Sequence, residues 1–393
     1  MMRSLTEQST ATHWLQRFQR RTSGGRLVPA IDGLRFYAIA GVVFYHISYN
    51  LVHSGHAVSS SVAGDWLARL ASCGWFGVQL FFVISGFILG MPFAVATLPG
   101  NRPVRLKPYF LRRLTRLEPP FLLSLALLFA LRAGLQQHPG LLPHLLATAL
   151  YSHNIVYENS SPISAVTWSL EVEVQFYLLA PLLGLIYRIG PLWARRATWL
   201  VALGLAHVLA LWSSSLIVYP QIGNFLVYFL VGMLLADVSC FDWRQGREVP
   251  VSPRWDAVAV LATLALLPLV YKQEKIPLLL AGLVGIIDYA ILRSVLWYRF
   301  TTLPLIFTVG GMCYTIYLYH NALIRFAIEW AHVPDLSTFA LNHDAATAAT
   351  ALVGIALVLV FSSALFVAIE RPCMNPDWPS HLTQWIRKRL RNL

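Results

Sequence analysis

The residues of this chain that could carry chemistry are few, and most sit inside apolar runs. One run opens Ile31-Asp32-Gly33-Leu34-Arg35, and His46 stands eleven positions after Arg35. Eleven helical steps turn about 1,100°, roughly 20° past three full turns, so Arg35 and His46 share a face about 16 Å apart along the axis. Imidazole exchanges protons near neutral pH, and a guanidinium fork matches phosphate or carboxylate oxygens. Asp32 is expected to cap this helix and to pair with Arg35. Taken singly, Arg35 could be an interfacial anchor and His46 a satisfied core histidine; the shared face weakens the second reading.

Three further constellations fall in apolar runs. Arg112-Arg113-Leu114-Thr115-Arg116 puts three guanidinium groups within one turn, which suits a phosphate-bearing ligand but also plain interfacial anchoring. In Thr167-Trp168-Ser169-Leu170-Glu171-Val172-Glu173, the two glutamates point about 200° apart, so they cannot face one cavity. Glu173 and Tyr177, four apart, can face one, while Glu171 is expected to be solvated near the outer surface. Tyr314, Tyr317 and His320 form a drifting stripe in a late run. An aromatic stripe is more often packing than a site, but an ionisable residue deep in a span is a functional candidate. Asp288 is also intramembrane, and Arg293 is expected to neutralise it. The four cysteines are scattered, and no metal constellation or dinucleotide loop is present.

The elements that position these residues follow from composition. Of 393 residues, 57% are hydrophobic and 12% charged, with mean hydropathy +0.59, far from a soluble domain. The reading is an all-α, polytopic membrane bundle of about ten helices. They lie near 34–53, 72–95, 109–132, 168–188, 197–216, 221–238, 256–271, 277–297, 303–328 and 347–369. The apolar patch 141–151 is too short to span and reads as a re-entrant or interfacial segment. With the N-terminus inside, 24 of the 30 Lys and Arg residues fall on inner segments. An eleventh span would move Arg188, Arg195, Arg196, Arg244, Arg247 and Arg254 outside, against the positive-inside rule. The net charge of +12 is therefore topological, and no nucleic-acid partner is expected. Residues 11–22 and 384–393 mix aromatic, aliphatic and basic side chains and read as amphipathic helices on an anionic leaflet. No cleavable signal peptide is read. The chain divides into a basic segment (1–30), a membrane domain (31–372) and a basic tail (373–393), both ends cytoplasmic.

The runs IDGLRFYAIAGVVFYH, GVQLFFVISGF, FLRRLTRLEPP, TWSLEVEVQFYLLAP, CYTIYLYH and IERP, in this order, resemble the landmarks of the membrane acyltransferase-3 family. The resemblance covers most of 30–373. It implies a bundle in a bacterial inner membrane that moves an acyl group, commonly acetyl, from cytoplasmic acyl-CoA to hydroxyls of extracytoplasmic glycans. The family's Arg-x10-His pair falls on Arg35 and His46, its Arg-x-x-Arg pair on Arg113 and Arg116, and its glutamate before Gln-Phe-Tyr on Glu173. Val174, Gln79 and Glu118 depart from the usual pattern at flanking positions. Some relatives add an extracytoplasmic hydrolase-like domain, which is not expected in a chain that runs about 20 residues past its last span.

The expected activity is O-acyl transfer to a cell-surface or lipid-linked carbohydrate. His46, Glu173 and His320 would be the catalytic group, with His46 as general base or acyl carrier. Arg35, Arg113 and Arg116 would hold the phosphates of acyl-CoA, which is a donor substrate and not a tightly bound cofactor. The remaining partners would be the glycan acceptor and membrane lipids. The rival reading is a transporter or flippase of a glycan or acyl carrier, though the paired broken-helix pattern of such proteins is not visible. A non-catalytic scaffold leaves the shared face of Arg35 and His46 unexplained.

Overall fold

A computed structural model describes residues 15–20, 28–53, 69–134, 140–216, 221–244, 251–274, 276–331, 343–375, 377–380 and 384. Its long elements are helical, and no strand occurs among the described residues. In chain order they are α1 (Pro29–His53), α2 (Gly77–Val95), α3 (Leu106–Gly134), α4 (Leu141–Ala149), α5 (His153–Tyr157), α6 (Trp168–Leu183) and α7 (Leu192–Leu216). There follow α8 (Ile222–Arg244), α9 (Pro253–Tyr271), α10 (Pro277–Ile291), α11 (Leu296–Thr301), α12 (Pro304–Gly311), α13 (Cys313–Ala331) and α14 (His343–Leu365). The last helix continues through a π-helical turn, Phe366–Glu370.

Eight described segments are long and apolar enough to cross a membrane. α10 and the α12–α13 pair, neither of which is among those eight, fall where the other two expected passes lie. Those two passes differ from the sequence reading for identifiable reasons. The eighth stops at Ile291 after 15 residues. Just beyond it the Asp256 carboxylate of α9 accepts the backbone N–H groups of Val295, Leu296 and Trp297, which starts a new helix there. The ninth is broken at Met312, after Gly310-Gly311. One free N–H that opens α13, that of Thr315, is met by a distant partner, Glu370, whose Oε2 accepts from Thr315 N at 3.2 Å and from its hydroxyl at 2.5 Å.

Helices without a hydrophobic drive toward one another approach through small residues. The most extensive pairing here is α2 with α8. A β-carbon at Gly86 would run into the Phe229 carbonyl, and one at Gly232 into that of Val83. Phe82, Phe176 and Phe229 fill the space beside this crossing. The outer faces of α3 and α7 carry exposed leucines such as Leu131, Leu200 and Leu205, as lipid contact requires.

The 141–151 patch is the nine-residue α4, about 13 Å long and too short to span. Leu142, Leu146 and Leu150 point outward while Leu141 and Thr148 are buried. Near the N-terminus, residues 15–18 form one 3-10 turn docked on the bundle instead of part of a surface helix. The rest of that proposed helix (11–14, 21, 22), and all of the proposed tail helix but residue 384, lie outside the described residues.

Candidate functional site

His46 and His320 meet in the interior. Their ring centroids are 4.9 Å apart, at 61° between planes. His320 is wholly buried. Its Nδ1 lies 2.8 Å from the Tyr317 carbonyl and 3.1 Å from that of Ile316. Carbonyls only accept, so Nδ1 carries the hydrogen and a neutral His320 keeps its lone pair on Nε2. That Nε2 and Nδ1 of His46 are buried and, among the described residues, have no hydrogen-bond partner. One turn on, the Asn50 amide donates to the His46 carbonyl at 2.7 Å and to the Asn321 side-chain oxygen at 3.0 Å, pinning α1 to α13. Tyr317 ties α13 to the turn before α6 through its hydroxyl, which donates to the Val166 carbonyl and accepts from Ser169 at 3.1 Å.

Glu173 belongs to a different group. Its Oε1 accepts from the Ser85 hydroxyl at 2.8 Å, and Tyr177, one turn away, lies within its electrostatic reach. Arg35 and Arg113 lie within its electrostatic reach. Among the described residues no hydrogen bond or ion pair joins Glu173 to either histidine.

The arginines gather at the end of the bundle where α1 begins. Arg35 pairs with Asp32 at 2.5 Å. Asp32 sits inside the first turn of α1 and does not cap it. Arg20 reaches the same Asp32 oxygen at 3.1 Å. Arg116 stands 3.8 Å from Glu370, with its Nε buried and unbonded. Arg113 donates to the Tyr109 carbonyl at 3.0 Å and lies 3.8 Å over that ring and 5.5 Å from the ring of Tyr177. A loosely neutralised set of guanidinium groups of this kind can bind a polyanion.

Besides the capping role of Asp32, two more expectations are overturned. Glu171 is buried, not solvated: its two oxygens accept the backbone N–H groups of His153 and Asn154 at 3.1 and 2.9 Å, so it caps α5. Asp288 is not neutralised by Arg293, which lies 3.9 Å over the ring of Tyr289. Asp288 Oδ1 is unbonded and faces an apolar cavity of about 20 Å³, walled by Leu34, Ile84, Phe87 and Leu235, with room for about one water. Outside the spans, His153 accepts from or donates to His144 at 2.9 Å and bonds the Asn159 carbonyl. Burial pushes its imidazole below the usual range, against the pull of that carbonyl. Arg20 and Glu370 were not singled out from sequence. Glu370 could have been, as a carboxylate closing an apolar run; Arg20 gave no signal.

The chain belongs to the membrane acyltransferase-3 family, whose acyltransferase-domain model matches residues 28–367. It is similar to the peptidoglycan O-acetyltransferase OatA of Listeria monocytogenes, at 26% identity over 336 residues, covering 76% of this chain and 50% of that one. The O-acetyltransferase OatA of Staphylococcus aureus is 26% identical over 333 residues, covering 77% of this chain and 51% of that one. A putative O-acetyltransferase of the same species is 24% identical over 399 residues, covering 92% and 61%. The chain spans about half the length of the OatA relatives it matches. No solved structure matches it.

Proposed function

We propose that the chain is a membrane O-acyltransferase. It moves an acyl group, acetyl by the names of its relatives, from cytoplasmic acyl-CoA to a hydroxyl of a cell-wall or other extracytoplasmic carbohydrate. The observation that carries this reading is the His46–His320 pair, His320 buried and His46 half-buried, in which Nδ1 of His46 and Nε2 of His320 find no hydrogen-bond partner among the described residues, on the helix face that also bears Arg35. His46 takes the proton of the acceptor hydroxyl as its oxygen attacks the thioester carbonyl. The carbon–sulfur bond breaks, and the proton returns to the departing thiolate. His320, with its lone pair fixed on Nε2, stands beside His46 to share that proton. General-base help of this kind is worth roughly 10²–10⁴ in rate.

Arg35, Arg113 and Arg116 hold the CoA phosphates at the cytoplasmic mouth, about 16 Å from His46 along α1. Glu173 balances the charge of Arg35 and Arg113 between the two ends. The acceptor enters from outside, so the donor need not cross a bacterial inner membrane in which both termini are cytoplasmic. The positive-inside charge distribution supports that orientation. Mass spectrometry of surface glycans with and without the protein tests the reading. Loss of an O-acyl mass on deletion, restored by the wild-type chain and not by His46→Ala, is the expected result. Free CoA release by purified protein only when a glycan acceptor is present separates transfer from transport. Acceptor-independent movement of a glycan or carrier, with no CoA released, would overturn the proposal.

A further inference from the structure

Arg20 lies outside the matched domain and outside the arginine pairs that the family pattern supplies. It is nevertheless built into the charged mouth. Phe18 packs against the cluster containing Met312 and Ile316, and the backbone of Arg20 runs over Gly311, where a β-carbon would meet its own at 3.4 Å. Arg371 donates to the carbonyls of Gln19 and Gln16 at 3.3 and 3.4 Å. This short strap delivers the Arg20 guanidinium to Asp32, which already holds Arg35, and Asp32 also feels the charge of Arg116. Two guanidinium groups therefore share one carboxylate, with a third close by. The Arg20 side chain is 14% exposed, and its Nε is buried with no hydrogen-bond partner among the described residues.

Cations so arranged are short of negative charge, and a phosphate dianion supplies what they lack. Their order along the bundle says which phosphate. The thioester must reach toward His46, so the pantetheine arm points inward and the diphosphate follows it. The ribose 3′-phosphate is then the last group at the rim. Asp32 stands three residues before Arg35, about 4.5 Å farther from His46 along the axis, and it is to this Asp32 that the strap, seated on Gly311, brings Arg20.

We infer that Arg20 binds the 3′-phosphate of the CoA donor, so that the N-terminal strap is part of the donor site and selects CoA over its dephosphorylated form. This rests on the acyl-CoA reading above. The experiment is steady-state transfer by the full chain in lipid nanodiscs, with acetyl-CoA and acetyl-3′-dephospho-CoA as alternative donors. The wild type should favour acetyl-CoA by about ten- to a hundred-fold in kcat/KM, the effect of one charge-assisted contact. Arg20→Ala should collapse that preference toward one, and Arg20→Lys, which keeps charge and stem, should restore part of it. Arg35→Ala should weaken both donors and retain the preference. A preference that survives Arg20→Ala, or an Arg20→Ala loss equal for both donors, overturns the inference while leaving acyl-CoA as donor. If the wild type transfers from neither donor, the acyl-CoA reading fails and this inference with it. If Arg20→Ala does not yield folded protein, the Arg20→Lys and Arg20→Gln ratios decide: an unchanged preference in both overturns the assignment.

Discussion

Replacing Glu370 should reveal how a carboxylate at the end of the last helix holds a broken helix and an arginine together. Glu370 is wholly buried and accepts two bonds from Thr315 at the start of α13. Bonds to a charged acceptor contribute roughly 1.5–3 kcal/mol each, so Glu370→Ala should cost about 3–6 kcal/mol. The Arg116 contact adds little, because it is 3.8 Å long and Arg116 is 29% exposed. Glu370→Gln keeps an acceptor oxygen and should cost about 1–2 kcal/mol. Against a total stability of roughly 5–15 kcal/mol, the difference is easily seen. The assay is thermal unfolding of detergent-purified protein, read by the exposure of Cys313 and Cys373 to a thiol dye. The expected order of midpoints is wild type, then Gln, then Ala. Equal midpoints for Ala and wild type would refute the reasoning that α13 is opened by this carboxylate.

Three further outcomes are expected. Arg113→Ala or Arg116→Ala should weaken acyl-CoA binding roughly ten- to a hundred-fold in inserted protein, with only partial rescue by Lys; unchanged affinity in equilibrium titration would return these arginines to a topological role. A cysteine placed at position 192 should be labelled only from the cytoplasmic side and one in 133–167 only from outside; the reverse pattern would sink the orientation. Gly232→Leu should abolish stable insertion because its β-carbon has no room beside the Val83 carbonyl, whereas Gly204→Leu, in open space on α7, should be tolerated in a membrane-expression assay.

Much of the bundle was legible because apolar length and charge distribution act along the chain. The face shared by Arg35 and His46 is likewise a local consequence of helical pitch. What joins distant segments was not. The sequence put His46 and His320 in the same catalytic group but could not show them in contact, which depends on how α1 crosses α13 and on the Asn50–Asn321 bond. The break at Met312, inside a span read as continuous over 303–328, follows Gly310-Gly311, and its other half, Glu370, comes from another helix. Glu171 was misjudged because position along a span does not say whether a neighbouring turn needs its helix N-terminus capped. Glu173 faces Tyr177 as its spacing indicated, but it lies with Ser85 and not with the histidines.

The central claim, that transfer chemistry at His46 is separate from donor capture at the arginines, is tested most directly by one comparison. Acyl transfer to a glycan acceptor and equilibrium binding of acyl-CoA are measured on the same reconstituted His46→Ala protein. The account predicts that transfer falls by at least about 10² while donor affinity stays within a few-fold of wild type. Transfer that persists in His46→Ala, or donor binding that is lost together with transfer, would contradict it.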